Sequence, residues 1–214
     1  PITAAGALQE GAVTWSSRFF CPGALTVSGR TIRCVSSHGS ESMVDIIKNS
    51  CNVGFMQTGL KMGPERFYKY VDLFGLDEET GIDLPGEAVG LLPPRDSVKQ
   101  VDLAVMSFGQ TLTLTPLRLA TALSAVVNDG VLMKPLVAKE LRAPDGTLLK
   151  EFKPTPIRQV VSKATANELK EALVVAVEQG TGKRAKIPGY RVGGKTGTAQ
   201  KVVGGRVVHG QYIG

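Results

Sequence analysis

The sequence predicts an α+β fold, and three observations carry that prediction. Segments with helical periodicity and recognisable caps follow one another as far as Gly130. Beyond it, extended runs separated by turn residues take over. One further capped helix, near Thr165 to Gly180, lies among those runs. A chain of 214 residues with 43% hydrophobic content can bury a sizeable core. No linker, repeat or low-complexity segment divides it.

The elements follow in order. "PITAAGALQEG" reads as the tail of a helix stopped by Gly11, since Ala, Leu, Gln and Glu are good helix formers. In "CPGALTVSGRTIRC", Ser28-Gly29 sits between two β-prone runs and predicts a hairpin. Ser42-x-x-Asp45 is a capping-box start for "MVDIIKN", which runs into Ser50-Cys51-Asn52. An amphipathic stretch from Val53 to Met62 ends at Gly63, and Pro64 opens a third helix closed by Gly75. "DEETGIDLPGEAVGLLPPRDS" is a loop, followed by a short helix from Val101 to Ser107. Thr115-Pro116 caps a helix reaching Gly130, expected to be the most buried of all. Two extended runs flank the turn Pro144-Asp145-Gly146. Thr165 with Glu168 caps the late helix, and Gly204-Gly205 separates two β-branched runs as a hairpin turn does.

The net charge of +6 favours anionic partners, yet the lysines and arginines are scattered and no aromatic-interleaved basic helix occurs, which argues against nucleic acid. The densest basic region holds Lys183, Arg184, Lys186, Arg191, Lys195, Lys201 and Arg206. It is either a solvated face or a cleft that attracts carboxylates. No window approaches 18 consecutive apolar residues and the N-terminus lacks the pattern of a signal peptide, so this stretch carries no anchor or address of its own. The three cysteines match neither a zinc spacing nor a C-x-x-C pair, so no metal site is expected. Cys21 and Cys34 bracket the hairpin and could meet across it in an oxidising compartment; pairing of Cys34 with Cys51 is the competing arrangement.

"GYRVGGKTGTAQ" admits two chemistries. Gly189 to Thr196 fits the phosphate-cradling pattern G-x-x-x-x-G-K-[ST]. That loop must follow a buried strand and open a helix, whereas "TGKRAKIPGY" precedes it and Gly197 and β-branched runs follow. The other reading is a Lys195-Thr196-Gly197-Thr198 strand beside an acyl-transfer centre. Lys195 would dock a carboxylate, Thr196 and Thr198 would add hydroxyl donors, and Gly197 would let another group approach the backbone. The N–H of Thr198 could serve as an oxyanion donor. Ser50-Cys51-Asn52 supplies a hydroxyl and an amide at a break between two predicted helices. Taken singly, one motif is a solvated face and the other a helix boundary with a local cap. Together, in this order, they point to one site.

The chain resembles the class B penicillin-binding proteins, monofunctional transpeptidases that cross-link peptidoglycan. The resemblance rests on "CPGALTVSGRTIRC", "HGSESMVDIIKNSCN", "FGLDEETGIDLPGE", "MSFGQTLTLTPLRLATALSAVVNDG" and "GYRVGGKTGTAQ". It implies a penicilloyl-serine transferase fold of the serine β-lactamase and D,D-peptidase type, with a helical subdomain over about 1–130 and a sheet-associated part over about 131–214. An antiparallel sheet would carry Lys195 to Thr198. It further implies that Ser50 relays a proton to the leaving amine, that Asn52 holds the peptide amide of the substrate, and that Lys195, Thr196 and Thr198 hold its terminal carboxylate. The implied partners are peptidoglycan stem peptides, β-lactams and a membrane glycosyltransferase, at the extracytoplasmic face, with no cofactor and no metal.

The sequence departs from the family in one respect. The family's nucleophile is the serine of Ser-x-x-Lys, which occurs nowhere in these 214 residues; Thr58-x-x-Lys61 and Thr147-x-x-Lys150 are only look-alikes. The expectation is a central portion of a domain that begins just after the catalytic lysine and ends as "GQYIG" opens a further strand, with the anchor elsewhere. A β-lactam sensor or an inactive scaffold of the same fold is the alternative. A class A β-lactamase is disfavoured by the absence of Glu-x-x-Leu-Asn, and an NTPase comes last.

Overall fold

Helix α3 (Asn52–Met62) is the element around which the others are arranged, and it buries Val53, Gly54, Phe55, Met56, Thr58, Gly59 and Met62. The computed structural model describes the backbone of residues 1–203 and 206–213 and the side chains of residues 1–199. Around α3 pack α1 (Ile2–Gln9), α2 (Met43–Asn49), α4 (Pro64–Phe74) and α5 (Gln100–Ser107). Two glycines of α3 permit close approaches by its neighbours. A Cβ on Gly54 would lie 2.5 Å from Ile46 Cγ1 of α2, and one on Gly59 would lie 1.7 Å from Ser107 Oγ of α5.

Local grammar sets the helix ends. Ser42 and Asp45 form a reciprocal capping box on α2. Gly63 precedes Pro64, the first residue of α4, and Gly75 ends that helix in the left-handed region (φ 62). Thr115 caps α6 (Pro116–Val127) by accepting from the Arg118 N–H. The late helix, α7 (Lys163–Glu178), starts earlier than the sequence predicts: Ser162 is its cap, accepting from the Thr165 N–H. Gln9 Oε1 accepts from Ser162 N–H at 2.7 Å and from Thr165 Oγ1 at 2.9 Å, so the end of α1 helps to fix this start. Glu168 instead accepts a hydrogen bond from Trp15 Nε1 at 2.8 Å.

Helix α6 is not the most buried helix. It buries Arg118, Thr121, Ala122, Ala125 and Val126, but Leu119 is 44% and Val127 64% exposed. One face packs on β5 (Val131–Met133) and α7, and the other meets solvent. Helix α7 packs against α1, α2 and α6, and one contiguous core includes residues from Ala4 to Ala176.

Among the described residues the strands form five antiparallel pairs. β2 (Ala24–Val27) and β3 (Arg30–Arg33) make the hairpin about Ser28-Gly29, whose φ values of 48 and 79 suit a two-residue turn. The ladder ends at Ala24 opposite Arg33. Gly23 then turns the chain (φ 97), and Cys21 joins β1 (Phe19–Cys21), opposite Gly39 of β4 (Gly39–Glu41). The hairpin therefore does not set Cys21 across from Cys34, and all three cysteines are free thiols. The runs flanking Pro144-Asp145-Gly146 pair as β6 (Glu140–Arg142) and β7 (Leu148–Glu151), while β5 pairs with β8 (Pro156–Gln159).

The last pair is β9 (Ala199–Val203) with β10 (Arg206–Ile213). The Gly204-Gly205 turn lies outside the described residues. "GQYI" continues β10 rather than opening a separate strand, since Tyr212 sits opposite Gln200 and Ile213 opposite Ala199. Lys195 to Thr198 precede the first paired residue, so they are irregular backbone leading into β9 rather than part of a strand.

The α3–α5 contact yields a direct test. Gly59→Ala adds an overpacking cost of about 3 kcal/mol, less about 1 kcal/mol of restored helix propensity. The melting temperature should fall by roughly 4–8 °C for a chain of this size. An unchanged or raised melting temperature would mean that Gly59 and Ser107 do not meet.

Candidate active site

Helix α2 ends in a way that presents a hydroxyl. The N–H of Ser50 donates to the Ile47 carbonyl at 3.4 Å and that of Cys51 to the Ile46 carbonyl at 3.0 Å, the paired bonds of a Schellman motif. Ser50 holds the left-handed position (φ 56, ψ 44) that glycine usually fills. Cys51 then caps α3, its Sγ accepting from the Gly54 N–H, and Asn52 is the first helical residue.

Lys195 reaches this break from the far end of the chain. Its Nζ donates to Ser50 Oγ at 2.6 Å and to the Thr196 carbonyl at 3.0 Å, with a longer contact of 3.4 Å to Thr196 Oγ1. Just before it, Gly194 N–H donates to the Leu173 carbonyl, which ties the segment to α7. Pro1, half-buried at the start of α1, lies near the same lysine. Burial pulls the Lys195 ammonium down to about 8.

The structure thus brings Ser50 and Lys195 into contact, with Thr196 adjoining them. Asn52 points its amide elsewhere, donating from Nδ2 to the Arg33 carbonyl at 3.3 Å, while its backbone N–H donates to Cys34 Sγ at 3.2 Å. Thr198 Oγ1 donates to the Gly197 carbonyl. No described atom lies within 4 Å of a Cβ built on Gly197, and Thr196 to Thr198 are exposed, so this edge is open to a ligand. Residues 191–198 do not open a helix, so the phosphate-loop reading lacks the helix end it needs. Of the basic cluster, Lys183, Arg184 and Lys186 are exposed and Arg191 pairs with Glu171. The side chains of Lys201 and Arg206 lie outside the described residues.

Behind Ser50 and Asn52 sits a group that the sequence pattern does not mark. The ligand atoms of Cys21, Cys34, His38 and Cys51 all lie within 4.8 Å of one another, a soft donor set able to hold an ion such as zinc. Cys34 Sγ is 3.9 Å from Cys51 Sγ and 3.7 Å from His38 Nδ1. The four residues come from β1, from the end of the hairpin, from the turn before β4 and from the α3 cap, which is why no linear spacing reveals them. Burial raises the Cys51 thiol far above its ordinary range. Burial also opposes ionisation of Cys34, but backbone N–H groups of Val53, Asn52 and Ser36 outweigh it and the thiol is lowered overall. Thr181, which touches Thr196, is likewise unmarked in sequence, because it lies between two ordinary turn glycines.

The model of the penicillin binding protein transpeptidase domain matches residues 1–214. Stage V sporulation protein D of Bacillus subtilis is 40% identical over 99% of this chain, which spans 33% of that protein. PbpB of Mycolicibacterium smegmatis is 37% identical over 94% of the chain and 32% of its own length. The chain therefore spans about a third of these relatives. Among solved structures, apo penicillin-binding protein 3 of Mycobacterium tuberculosis superposes with a TM-score of 0.87 at 36% identity, covering 99% of this chain and 49% of that one. The transpeptidase domain of Burkholderia pseudomallei penicillin-binding protein 3 gives 0.87 at 31%, covering 99% and 62%.

The half-buried lysine makes a pH-dependent contribution whose sign follows from its lowered value. Its folded value near 8 lies below the unfolded value of about 10.4, so the unfolded chain binds more protons between these limits. The charged form is disfavoured at every pH below about 8, and stability should rise as pH climbs from about 8 to 10.4. Chemical denaturation across that range, compared with Lys195→Met, should show the rise only in the parent. Parallel pH profiles would place Lys195 in solvent.

Proposed function

The chain belongs to the penicillin-binding protein transpeptidase domain family, and on that premise we propose that it forms the central portion of a single transpeptidase domain in a protein that cross-links peptidoglycan. The observation that carries the proposal is the 2.6 Å hydrogen bond between Lys195 Nζ and Ser50 Oγ, which joins groups 145 residues apart. No Ser-x-x-Lys occurs in the 214 residues, so the acylated serine is assigned to polypeptide outside them.

The proposed chemistry is a two-step acyl transfer. The serine hydroxyl attacks the carbonyl of a D-Ala-D-Ala peptide bond, the C–N bond breaks, and D-Ala leaves as a free amine that has gained a proton. An amine of a neighbouring stem peptide then attacks the ester, displaces the serine oxygen and forms the cross-link. Ser50 is suited to pass the proton to the leaving nitrogen, since its hydroxyl accepts from Lys195 and keeps its own proton to donate. Lys195, Thr196 and Thr198 offer a cation and two hydroxyls along the open edge to the terminal carboxylate. With Nδ2 engaged by Arg33, Asn52 is left with its amide oxygen to accept from a peptide N–H of the substrate. Gly197 leaves the room that such a ligand needs beside the backbone.

β-Lactams would enter as mimics of the dipeptide and stall at the acyl-enzyme; a structure of the Mycobacterium tuberculosis relative is complexed with ampicillin. A membrane glycosyltransferase partner and action at the extracytoplasmic face belong to the same proposal. No helix among the described residues is long and apolar enough to cross a membrane.

In the full-length protein, Lys195→Ala should slow acylation by a fluorescent penicillin at least about a hundredfold, the usual worth of a charge aimed at developing charge. Unaltered kinetics would return Lys195 to a solvated face. Labelling of the parent without any cross-linking of stem peptides would favour a β-lactam sensor of the same fold.

A further inference from the structure

Thr181 lies where the two halves of the site meet, in the Gly180-Thr181-Gly182 turn after α7. Its backbone N–H donates to the Lys48 carbonyl at 3.1 Å, two residues before Ser50. Its Oγ1 is 3.1 Å from Thr196 Oγ1 and 3.5 Å from the Lys48 carbonyl. The turn is held closely: a Cβ on Gly180 would lie 2.2 Å from the Lys48 oxygen, and one on Gly182 would lie 3.1 Å from the Ala176 oxygen. With the contacts of Lys195 to Ser50 and to Thr196, a closed ring runs from Lys48 through Thr181, Thr196 and Lys195 to Ser50, and back along the main chain.

Proton bookkeeping around the ring decides what Thr181 does. A hydroxyl has one proton to give, and an ammonium only donates, so Thr196 Oγ1 can act only as acceptor toward Lys195. If Thr196 also gave its proton to Thr181, it would have none for a ligand. Thr181 would then turn its own proton to solvent or to the Lys48 carbonyl, which already accepts the Thr181 N–H and lies at the outer limit of hydrogen-bond distance. The opposite polarity uses the shorter contact and leaves no conflict.

We propose that Thr181 is a positioning residue whose hydroxyl donates to Thr196 Oγ1 and thereby turns the Thr196 proton outward, toward the carboxylate of the bound peptide or β-lactam. The inference rests on the reading of this edge as a carboxylate site. Removing the Thr181 hydroxyl frees Thr196 to turn its proton inward or to rotate, so ligands that carry the carboxylate should suffer and ligands that lack it should not.

The test compares acylation of the full-length protein by a penicillin and by its methyl ester. Thr181→Val keeps the shape and removes the hydroxyl; it should lower the acylation rate constant for the acid about tenfold, the effect of one lost hydrogen bond near a charge. The rate with the ester should change by less than about twofold, and Thr181→Ser should restore the acid to within about threefold of the parent. Should the valine variant fail to fold by circular dichroism, Thr181→Ala takes its place in the same acid-to-ester ratio. Equal losses on acid and ester, no loss on either, or failure of serine to rescue would each overturn the proposal. A parent that neither compound acylates would refute the transpeptidase reading itself, before any variant is compared, and this inference with it.

Discussion

Ser50 occupies a backbone position that helices usually give to glycine, and much of the site follows from it. A left-handed residue other than glycine costs about 1–2 kcal/mol, and here it stops α2, lets Cys51 begin the cap of α3 and turns a hydroxyl toward Lys195. Glycine would relieve the strain and remove the hydroxyl. The direction of α3 is fixed at the same break, and its passage through the core depends on two glycines that admit Ile46 and Ser107. The strained residue and the glycine-packed helix α3 are thus neighbouring parts of one device: the core holds the strain in place, and the strain supplies the functional group.

The second half of the site is held by α7. This helix packs on α1, α2 and α6, and the Leu173 carbonyl anchors Gly194 just before Lys195. A lysine on a mobile loop would remain solvated and near its ordinary basicity. Held half-buried beside Pro1 and Ser50, it loses hydration and is pulled down to about 8, close enough to neutrality for its protonation to respond to a ligand. The Gly180-Thr181-Gly182 turn links this helix to the end of α2, so the two motifs are positioned by the same core instead of by separate loops.

Signals that act within a few residues were legible in the sequence. The capping box at Ser42, the Pro64 start, the Gly75 stop and the Ser28-Gly29 hairpin all depend on near neighbours, and all form. What depends on distant partners was not. The apolar pattern of α6 shows that a face exists but not whether a second layer covers the other side. The start of the α7 cap at Ser162 is shared with Gln9, about 150 residues away, which no local pattern contains. The motif and the resemblance put Lys195 to Thr198 on a strand, yet a strand is defined by its ladder, and the described part of β10 runs only as far as the residue opposite Ala199. The pairing of Ser50-Cys51-Asn52 with Lys195 was suggested by the two motifs together and by the resemblance; the gathering of His38 with three cysteines and the contact of Thr181 with Thr196 arise from the fold alone.

The central claim is that Ser50 and Lys195 act as one unit. It is tested most directly by a double-mutant cycle on β-lactam acylation in the full-length protein, with Ser50→Ala, Lys195→Ala and the pair. Groups in direct hydrogen-bond contact couple by about 0.5–3 kcal/mol, whereas independent sites add to within about 0.5 kcal/mol. The account predicts that the double variant is at least about tenfold faster than the product of the two single losses implies, because the second substitution removes a partner already disabled. Losses that simply multiply would show that the two residues work apart, and the 2.6 Å contact would then have no part in the chemistry.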